Sequence, residues 1–234
     1  MFKFYSQCKS TKKLIMENSW STPKKHYLHN HFDSSRWNSI RLRNTDIIIS
    51  TYPKSGTTRE QMTFLQLLHK GEPNLNITEL SPYIELCIEP ISEIVVRVEN
   101  QKNRRVLKGH LPLDYLPFND DIQYVDIWRS PFDVAISLFH HHNNANKKYF
   151  EAINLNKPQF TEDFKKNNLT TKEWIIKWFE TDGFPYWSYS KHINTWWKYR
   201  KLKNVHIFHY ADLSKEHRKE ILKRANILNG SRVL

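Results

Sequence analysis

Short runs of β-branched residues alternate along the chain with segments whose apolar positions recur at helical spacing. The run at 47–51 (IIIST) is typical of a buried parallel strand, and runs at 105–109, 122–128 and 205–209 predict three more. Between the runs, the apolar spacing predicts helices at 57–70, 130–142, 172–181, 186–200 and 213–228. Strands that alternate with helices indicate an α/β fold with a central, mainly parallel β-sheet flanked by helices.

Two stretches lack a sustained hydrophobic pattern. Residues 1–44 are polar and basic with scattered aromatics, which predicts an irregular N-terminal segment. Residues 143–170 are rich in Asn and Lys, and we expect an exposed, mobile loop there. Because no internal repeat and no interdomain linker is evident, we expect residues 1–234 to form a single domain.

The net charge of the chain indicates the class of partner. The chain has 36 Lys and Arg against 24 Asp and Glu, a formal net charge of +12. This excess favours an anionic partner: a phosphorylated small molecule, a nucleic acid or an acidic membrane surface. The two cysteines of the chain, Cys8 and Cys87, are too few for a disulfide framework or a Cys-rich zinc site. No apolar run reaches the roughly 18 residues of a transmembrane helix, and no signal peptide is evident, so we expect a cytoplasmic protein.

The segment 51–58 (TYPKSGTT) joins the first predicted strand to the first predicted helix. Backbone N–H groups, the positive end of the helix, hydroxyl groups and an ammonium group converge there, which predicts a phosphate-binding loop. The residues concerned are Lys54, Ser55, Gly56, Thr57 and Thr58. The loop differs from a Walker A motif, in which the Lys follows the second Gly. Taken by itself, the segment is also compatible with an ordinary strand–helix connection.

Two later segments place candidate chemistry at strand ends. Lys108 and His110 lie two residues apart, which in extended backbone puts both side chains on one face of the chain. The carboxyl end of a strand is where open α/β sheets bind ligands. Arg129 ends the next predicted strand, and Ser137 lies two turns into the helix that follows. Together with the loop at 51–58, these residues favour an anion site.

The three segments resemble, in order and spacing, those of the cytosolic-type sulfotransferases. The loop 52–58 (YPKSGTT) resembles the 5′-phosphosulfate loop of that family, 108–112 (KGHLP) its Lys-Thr-His-Leu-Pro segment, and 129–137 its 3′-phosphate segment. His192, Trp196, Trp197 and the stretch 208–213 (FHYADL) resemble further motifs. The resemblance implies the P-loop-like sulfotransferase fold. It also implies sulfuryl transfer from 3′-phosphoadenylyl sulfate (PAPS) to a hydroxyl or amine of a small-molecule acceptor, without a metal.

The resemblance implies roles for the matching residues. His110 would be the general base, Lys54 would neutralise the leaving phosphate, and Lys108 would stabilise the sulfuryl group. The nucleotide-binding residues would be Lys54, Ser55, Gly56, Thr57, Thr58, Arg59, Arg129, Ser137 and Tyr210. Among them, Arg129 and Ser137 would bind the 3′-phosphate and Tyr210 would contact the adenine. Arg59 stands where the family has a Trp that stacks on the adenine, and a guanidinium plane can also stack.

Some positions depart from the family pattern. Gly109 replaces a Thr, and Ser130 replaces an Asn. The chain ends at Leu234, before the family's Arg-Lys-Gly clamp on the 3′-phosphate and its dimerisation segment. From these absences we expect weak, salt-sensitive nucleotide binding and weakened activity. The resemblance implies that variable loops line the acceptor pocket, here 20–35, 80–90 and 143–170. The aromatic residues Phe32, Tyr83, Phe139 and Tyr149 favour an apolar alcohol or a phenol as the acceptor.

Three other functions stay open: a family member that binds nucleotide or a partner without turnover, a P-loop small-molecule kinase, and a nucleic-acid binder. The position of Lys54 counts against the kinase, and we expect neither a nucleic acid nor a membrane as partner. The run 140–142 (HHH) is not expected to bind a metal, because consecutive helical side chains point about 100° apart. A position at a helix end or beside the acceptor is expected instead.

Overall fold

The computed structural model describes residues 26–29, 31–159 and 161–229. A short antiparallel hairpin, β1 (Leu28–His29) and β2 (Phe32–Asp33), comes first. Four strands then form a parallel sheet in the order β4-β3-β5-β6. Their bounds are β3 (Ile47–Ser50), β4 (Val106–Gly109), β5 (Gln123–Trp128) and β6 (Val205–His209). The predicted α/β fold with a central parallel sheet is confirmed.

Helices connect and cover these strands. Their bounds are α1 (Thr57–Leu68), α2 (Ile77–Leu80), α3 (Ile91–Glu99), α4 (Pro131–Asn144), α5 (Lys147–Leu155), α6 (Thr171–Glu180), α7 (Tyr189–Tyr199), α8 (Tyr210–Lys215) and α9 (His217–Leu228). Two 3₁₀ turns lie at Ser34–Ser39 and Leu113–Tyr115.

Alternating side chains of β3 divide the core between the two faces of the sheet. Ile47 and Ile49 are fully buried on the face covered by α1 and α9. Ile48 is buried on the other face, which α3 and α7 cover. Burial on both faces explains why this strand is a continuous β-branched run rather than an alternating one.

A third apolar cluster, formed with α4 and α6, lies next to the loop after β3. Tyr52 is fully buried there, and its hydroxyl donates to the carbonyl oxygens of Gly183 and Trp187 at 3.0 Å each. Trp174 and Trp178 belong to the same cluster. The start of the loop after β3 is therefore anchored to the helical layer.

Several local predictions were wrong. The expected loop 143–170 contains α5, which Asn146 caps by accepting from Tyr149 N at 3.0 Å. The predicted helix 213–228 is two helices, because the backbone of Glu216 leaves the helical region. Ser130, which can cap a helix and was expected to start the helix at 130–142, precedes α4, but its side chain makes no capping bond. Of the segment 1–44, residues 26–29 and 31–44 include β1, β2 and a 3₁₀ turn, whereas residues 1–25, with Cys8, lie outside the described residues.

Candidate active site

The sheet order creates a crevice at the carboxyl ends of its strands. From β3 the chain first moves to β4 on one side and then to β5 on the other. Such a switch point is where open α/β sheets bind ligands, because the connecting loops diverge there. The loop with Lys54 follows β3, His110 follows β4, and Arg129 follows β5. These three predicted residues therefore lie at one edge of the sheet.

The loop after β3 is held in a tight conformation by its own backbone and hydroxyls. Lys54 and Gly56 both have positive φ angles, 69° and 119°. Ser55 N donates to Tyr52 O at 3.1 Å, and the hydroxyls of Thr51 and Thr57 are 2.6 Å apart. Gly56 occupies the N-cap position of α1, so the first N–H groups of that helix open towards the crevice. The loop thus has the geometry of an anion-binding helix start.

A cavity of about 460 Å³ occupies the crevice. Its walls include ten of the predicted site residues: Lys54, Gly56, Thr57, Thr58, Arg59, Lys108, His110, Arg129, Ser137 and Tyr210. The remaining one, Ser55, is buried beneath the loop, where its hydroxyl has no hydrogen-bond partner among the described residues. A buried hydroxyl without a partner fits a site that an anion completes.

The imidazole of His110 has a defined tautomer. Its Nδ1 lies 2.7 Å from Thr51 O. Because a carbonyl oxygen only accepts, Nδ1 carries the proton and Nε2 keeps its lone pair. Burial, and next the charge of Lys108, hold the pKa of His110 well below 6.5. The ring is therefore neutral at pH 7 and able to accept a proton.

Two lysines supply positive charge to the cavity. Burial lowers the pKa of Lys54, and the neighbouring Arg129 lowers it further. Burial also lowers the pKa of Lys108, which the negative charge of Glu85 opposes. The Nζ of Lys108 lies 4.4 Å from the centre of the Tyr83 ring, a cation–π contact. Crowded, partly desolvated cations interact strongly with an incoming anion.

Arg129 and Tyr210 form the wall on the far side of the loop. Arg129 Nη1 donates to Lys54 O at 2.9 Å, and its Nε is buried with no hydrogen-bond partner among residues 26–29, 31–159 and 161–229. Its guanidinium lies 4.6 Å from the centre of the Tyr210 ring, and that of Arg59 lies 5.3 Å from it. Arg59 also donates to Ser214 Oγ at 3.0 Å. The Tyr210 ring, next to Gly56, thus contacts two cations.

The part of the cavity beyond His110 is lined largely by aromatic side chains. Phe32, Tyr83 and Tyr149 line it as their positions suggested, and so does His141 from the run 140–142. The prediction for Phe139 was wrong, because this ring is buried against Trp174 at 6.0 Å between centres. The loops expected to line the acceptor pocket, 20–35 and 80–90, also contribute His31, Leu86 and Ile88. Leu138 and Tyr186 line the cavity as well but lie outside the expected loops, so the sequence did not predict them.

Comparison with known proteins identifies the family. The family model described as "Sulfotransferase domain" matches residues 44–232. The chain belongs to the sulfotransferase family. It is 31% identical over 219 residues to the glycolipid sulfotransferase of Mycobacterium bovis, covering 84% of this chain and 67% of that protein. It is 26% identical to sulfotransferase 1E1 of Homo sapiens, covering 82% of this chain and 63% of that protein.

Solved sulfotransferase structures share the fold. Retinol dehydratase in complex with androsterone and PAP (3′-phosphoadenosine 5′-phosphate) superposes with a TM-score of 0.62 at 20% identity, over 86% of this chain and 63% of that one. Mouse sulfotransferase SULT7A1 with PAP gives 0.60 at 24% identity, over 86% and 64%. The chain thus spans about two thirds of the length of these relatives.

Within residues 26–29, 31–159 and 161–229, no group of three or more His, Cys, Asp or Glu side chains is arranged to hold a metal ion. In the same part of the chain, no helix combines the length and apolar character needed to cross a membrane.

Proposed function

We propose that this sulfotransferase moves the sulfuryl group of PAPS to a hydroxyl or amine of a small-molecule acceptor. One observation carries the proposal: His110, Lys54 and Lys108 line the same cavity. His110 is neutral there, and its Nε2 lone pair is available because Nδ1 carries the proton. In-line transfer from a phosphosulfate needs positioning and charge stabilisation more than covalent catalysis.

Polar groups in and next to the cavity support PAPS as the donor. The N–H groups at the start of α1, with the Ser55 hydroxyl, would bind the 5′-phosphate. The guanidinium of Arg129, whose Nε lies 3.8 Å from the Asp133 carboxylate, and the hydroxyl of Ser137 would bind the 3′-phosphate, and Arg59 and Tyr210 would contact the adenine. The solved structures named above bind PAP, and we extend that property to this chain by analogy.

The chain's own residues account for each change of charge in the transfer. The acceptor oxygen attacks the sulfur while the bond between sulfur and the bridging phosphate oxygen breaks. His110 Nε2 takes the proton of the acceptor hydroxyl, and Lys54 neutralises the charge that develops on the departing phosphate. Lys108 stabilises the sulfuryl oxygens in flight. The products are a sulfate ester and PAP.

We propose an apolar alcohol or a phenol as the acceptor. Phe32, Leu86, Ile88 and Leu138 give the acceptor region an apolar lining, and Tyr83 stands edge-on to His110 with ring centres 5.0 Å apart. The retinol dehydratase structure holds androsterone, and the Mycobacterium relative is named for a glycolipid, so both classes belong in an acceptor screen. A cytoplasmic location stays a prediction from the sequence.

Transfer of labelled sulfate from PAPS tests the proposal. We expect label to appear on a member of a panel of phenols, sterols, glycolipids and amines, and to depend on the acceptor. PAP binding without transfer to any of them would support the non-catalytic alternative. Transfer of phosphate from ATP with Mg²⁺, in place of sulfate, would support the kinase.

A further inference from the structure

A buried carboxylate lies directly behind the proposed base. Residues 82–85 run alongside β4: Lys108 N donates to Pro82 O, and Ile84 N donates to Lys108 O, both at 3.1 Å. This pairing brings Glu85 to the turn that carries His110. The Glu85 side chain is fully buried, although charged groups are rarely buried without a reason.

Each oxygen of this carboxylate accepts a hydrogen bond. The backbone N–H of His110 donates to Oε1, and Trp37 Nε1 donates to Oε2 at 3.1 Å. Both partners can only donate, so the site requires two acceptor oxygens. An ionised carboxylate provides them. An amide or a protonated acid would instead turn a donor towards one of the two N–H groups.

The glycine before His110 provides the space for this carboxylate. A Cβ atom at Gly109 would lie 3.1 and 3.3 Å from the two Glu85 oxygens and 2.9 Å from Ser50 Oγ. Those distances are tighter than ordinary van der Waals contact. Gly109, the position at which the chain departs from the Lys-Thr-His-Leu-Pro pattern, is therefore matched to the position of Glu85.

We infer that Glu85 is a positioning residue for sulfuryl transfer, a role that rests on the proposed function. By fixing the His110 backbone, it sets the ring where Nδ1 reaches Thr51 O and Nε2 stays available for the acceptor proton. Burial lowers the pKa of Lys108, and the negative charge of Glu85 opposes that effect. Glu85 therefore favours the charged ammonium form of Lys108. Glu85 thus supports the proposed base and the neighbouring cation from behind the cavity.

The pKa of Glu85 makes this role depend on pH. Burial raises the pKa of Glu85 to about 7, against the effect of its hydrogen bonds. The titratable groups around it are Lys108 and His110 from β4 and the following turn, and Tyr83 and Cys87 from its own segment. Burial raises the pKa values of Tyr83 and Cys87 and lowers that of His110 well below 6.5. Tyr83, Cys87 and His110 therefore all stay neutral near pH 7. As the pH falls through 7, Glu85 takes up a proton and the anchor is lost.

Kinetics of Glu85→Gln test the inference. We expect kcat at pH 8 to fall about 10- to 100-fold, because small displacements of a catalytic group are costly, with KM for PAPS nearly unchanged. The wild-type kcat should decline below pH 7, and that decline should shift to lower pH in the variant. Glu93→Gln, an exposed carboxylate on α3, is the matched control and should behave as wild type. A Glu85→Gln enzyme with wild-type kcat and pH profile would overturn the inference.

A measurement on the wild type keeps the test independent of turnover and of the variant's folding. In ¹H–¹⁵N spectra, an amide that donates to a carboxylate shifts as that carboxylate titrates. We expect the His110 amide resonance to titrate with a midpoint near pH 7 and that of Glu93, an exposed position, not to follow it. A His110 amide that does not respond between pH 5.5 and 8.5 would reject the anchor, whereas absent sulfate transfer with a responsive amide would reject only the proposed function.

Discussion

The state of His110 follows from two contacts that a sequence motif does not specify. The carbonyl of Thr51 fixes the tautomer, and burial with the charge of Lys108 keeps the ring neutral. The resemblance of 108–112 to the family's Lys-Thr-His-Leu-Pro segment predicted His110 as the base. It did not predict Glu85, because that residue lies 25 positions upstream of His110 and has no motif of its own.

His110→Ala should separate chemistry from nucleotide binding. Removal of a general base is expected to lower kcat by about 10²–10⁴-fold. PAP affinity should change little, because in the proposed function the loop after β3 and Arg129 bind the phosphates. Sulfate transfer from labelled PAPS and calorimetric PAP titration provide the two readouts. His217→Ala, an exposed histidine on α9, is the control, and near-normal turnover by His110→Ala would mean that another group removes the proton.

Gly56 and Gly71 both have positive φ angles, and a comparison of their Ala variants distinguishes the effect of backbone strain on stability from an effect on nucleotide binding. Gly56 has φ +119°, and an added Cβ would lie 2.7 Å from Tyr210 Cδ2; Gly71 has φ +81° and nothing within 4 Å of such an atom. Both Ala variants should lose about 1–2 kcal/mol of unfolding free energy because L-residues disfavour positive φ. Only Gly56→Ala should also lower PAP affinity, by displacing Tyr210 and the loop. Urea unfolding and calorimetry measure the two effects, and equal PAP affinities of the two variants would contradict the assignment.

At the scale of elements, the sequence predicted the strands and helices whose hydrophobic pattern fits only one type of secondary structure. The four β-branched runs became the four strands of the sheet, because central parallel strands are apolar on both faces. Helix α3 was missed, since its sequence (ISEIVVRVE) is rich in β-branched residues and its position depends on the burial of Ile94 and Val98. Helix α5 was missed because it lies in an Asn- and Lys-rich stretch and buries Ile153 alone among its residues.

A buried ion pair joins the first and last described helices. Arg224 of α9 donates to Glu60 of α1 at 2.8 Å and to Glu220 at 2.9 Å, and all three residues are at most 1% exposed. Arg224→Met should destabilise the protein by about 3–5 kcal/mol, because a buried carboxylate is left without its partner. This loss of stability is what denaturant unfolding would measure.

The pH dependence of that loss follows from the pKa of Glu60. Burial already raises this pKa, and Arg224 opposes the rise. Without Arg224 the pKa rises further, so at pH 5 the carboxyl can take up a proton and avoid the cost of a lone charge. The variant should therefore lose more stability at pH 8 than at pH 5. Arg218→Met, an exposed change on the same helix, should have little effect, and an equally small effect of Arg224→Met would refute the account.

At the scale of the whole molecule, the site is assembled by topology. Loops more than fifty residues apart in the chain meet because the strands before them are parallel and adjacent. That rule let the sequence place Lys54, His110 and Arg129 at one sheet edge. For the acceptor region the sequence predicted two of the loops, 20–35 and 80–90, which contribute His31 and Leu86, but not Tyr186, whose position depends on packing.

The proposed function requires the cavity to bind a 3′-phosphorylated adenine nucleotide. Calorimetric titration of PAP and of 5′-AMP, at low and moderate salt, tests it most directly. A charge-assisted bond to Arg129 is worth about 1.5–3 kcal/mol, so PAP should bind about 10- to 100-fold more tightly than 5′-AMP. Salt should weaken PAP binding, given the net charge of +12, and Arg129→Gln should abolish the preference. Equal affinities of the wild type for PAP and 5′-AMP would contradict the account.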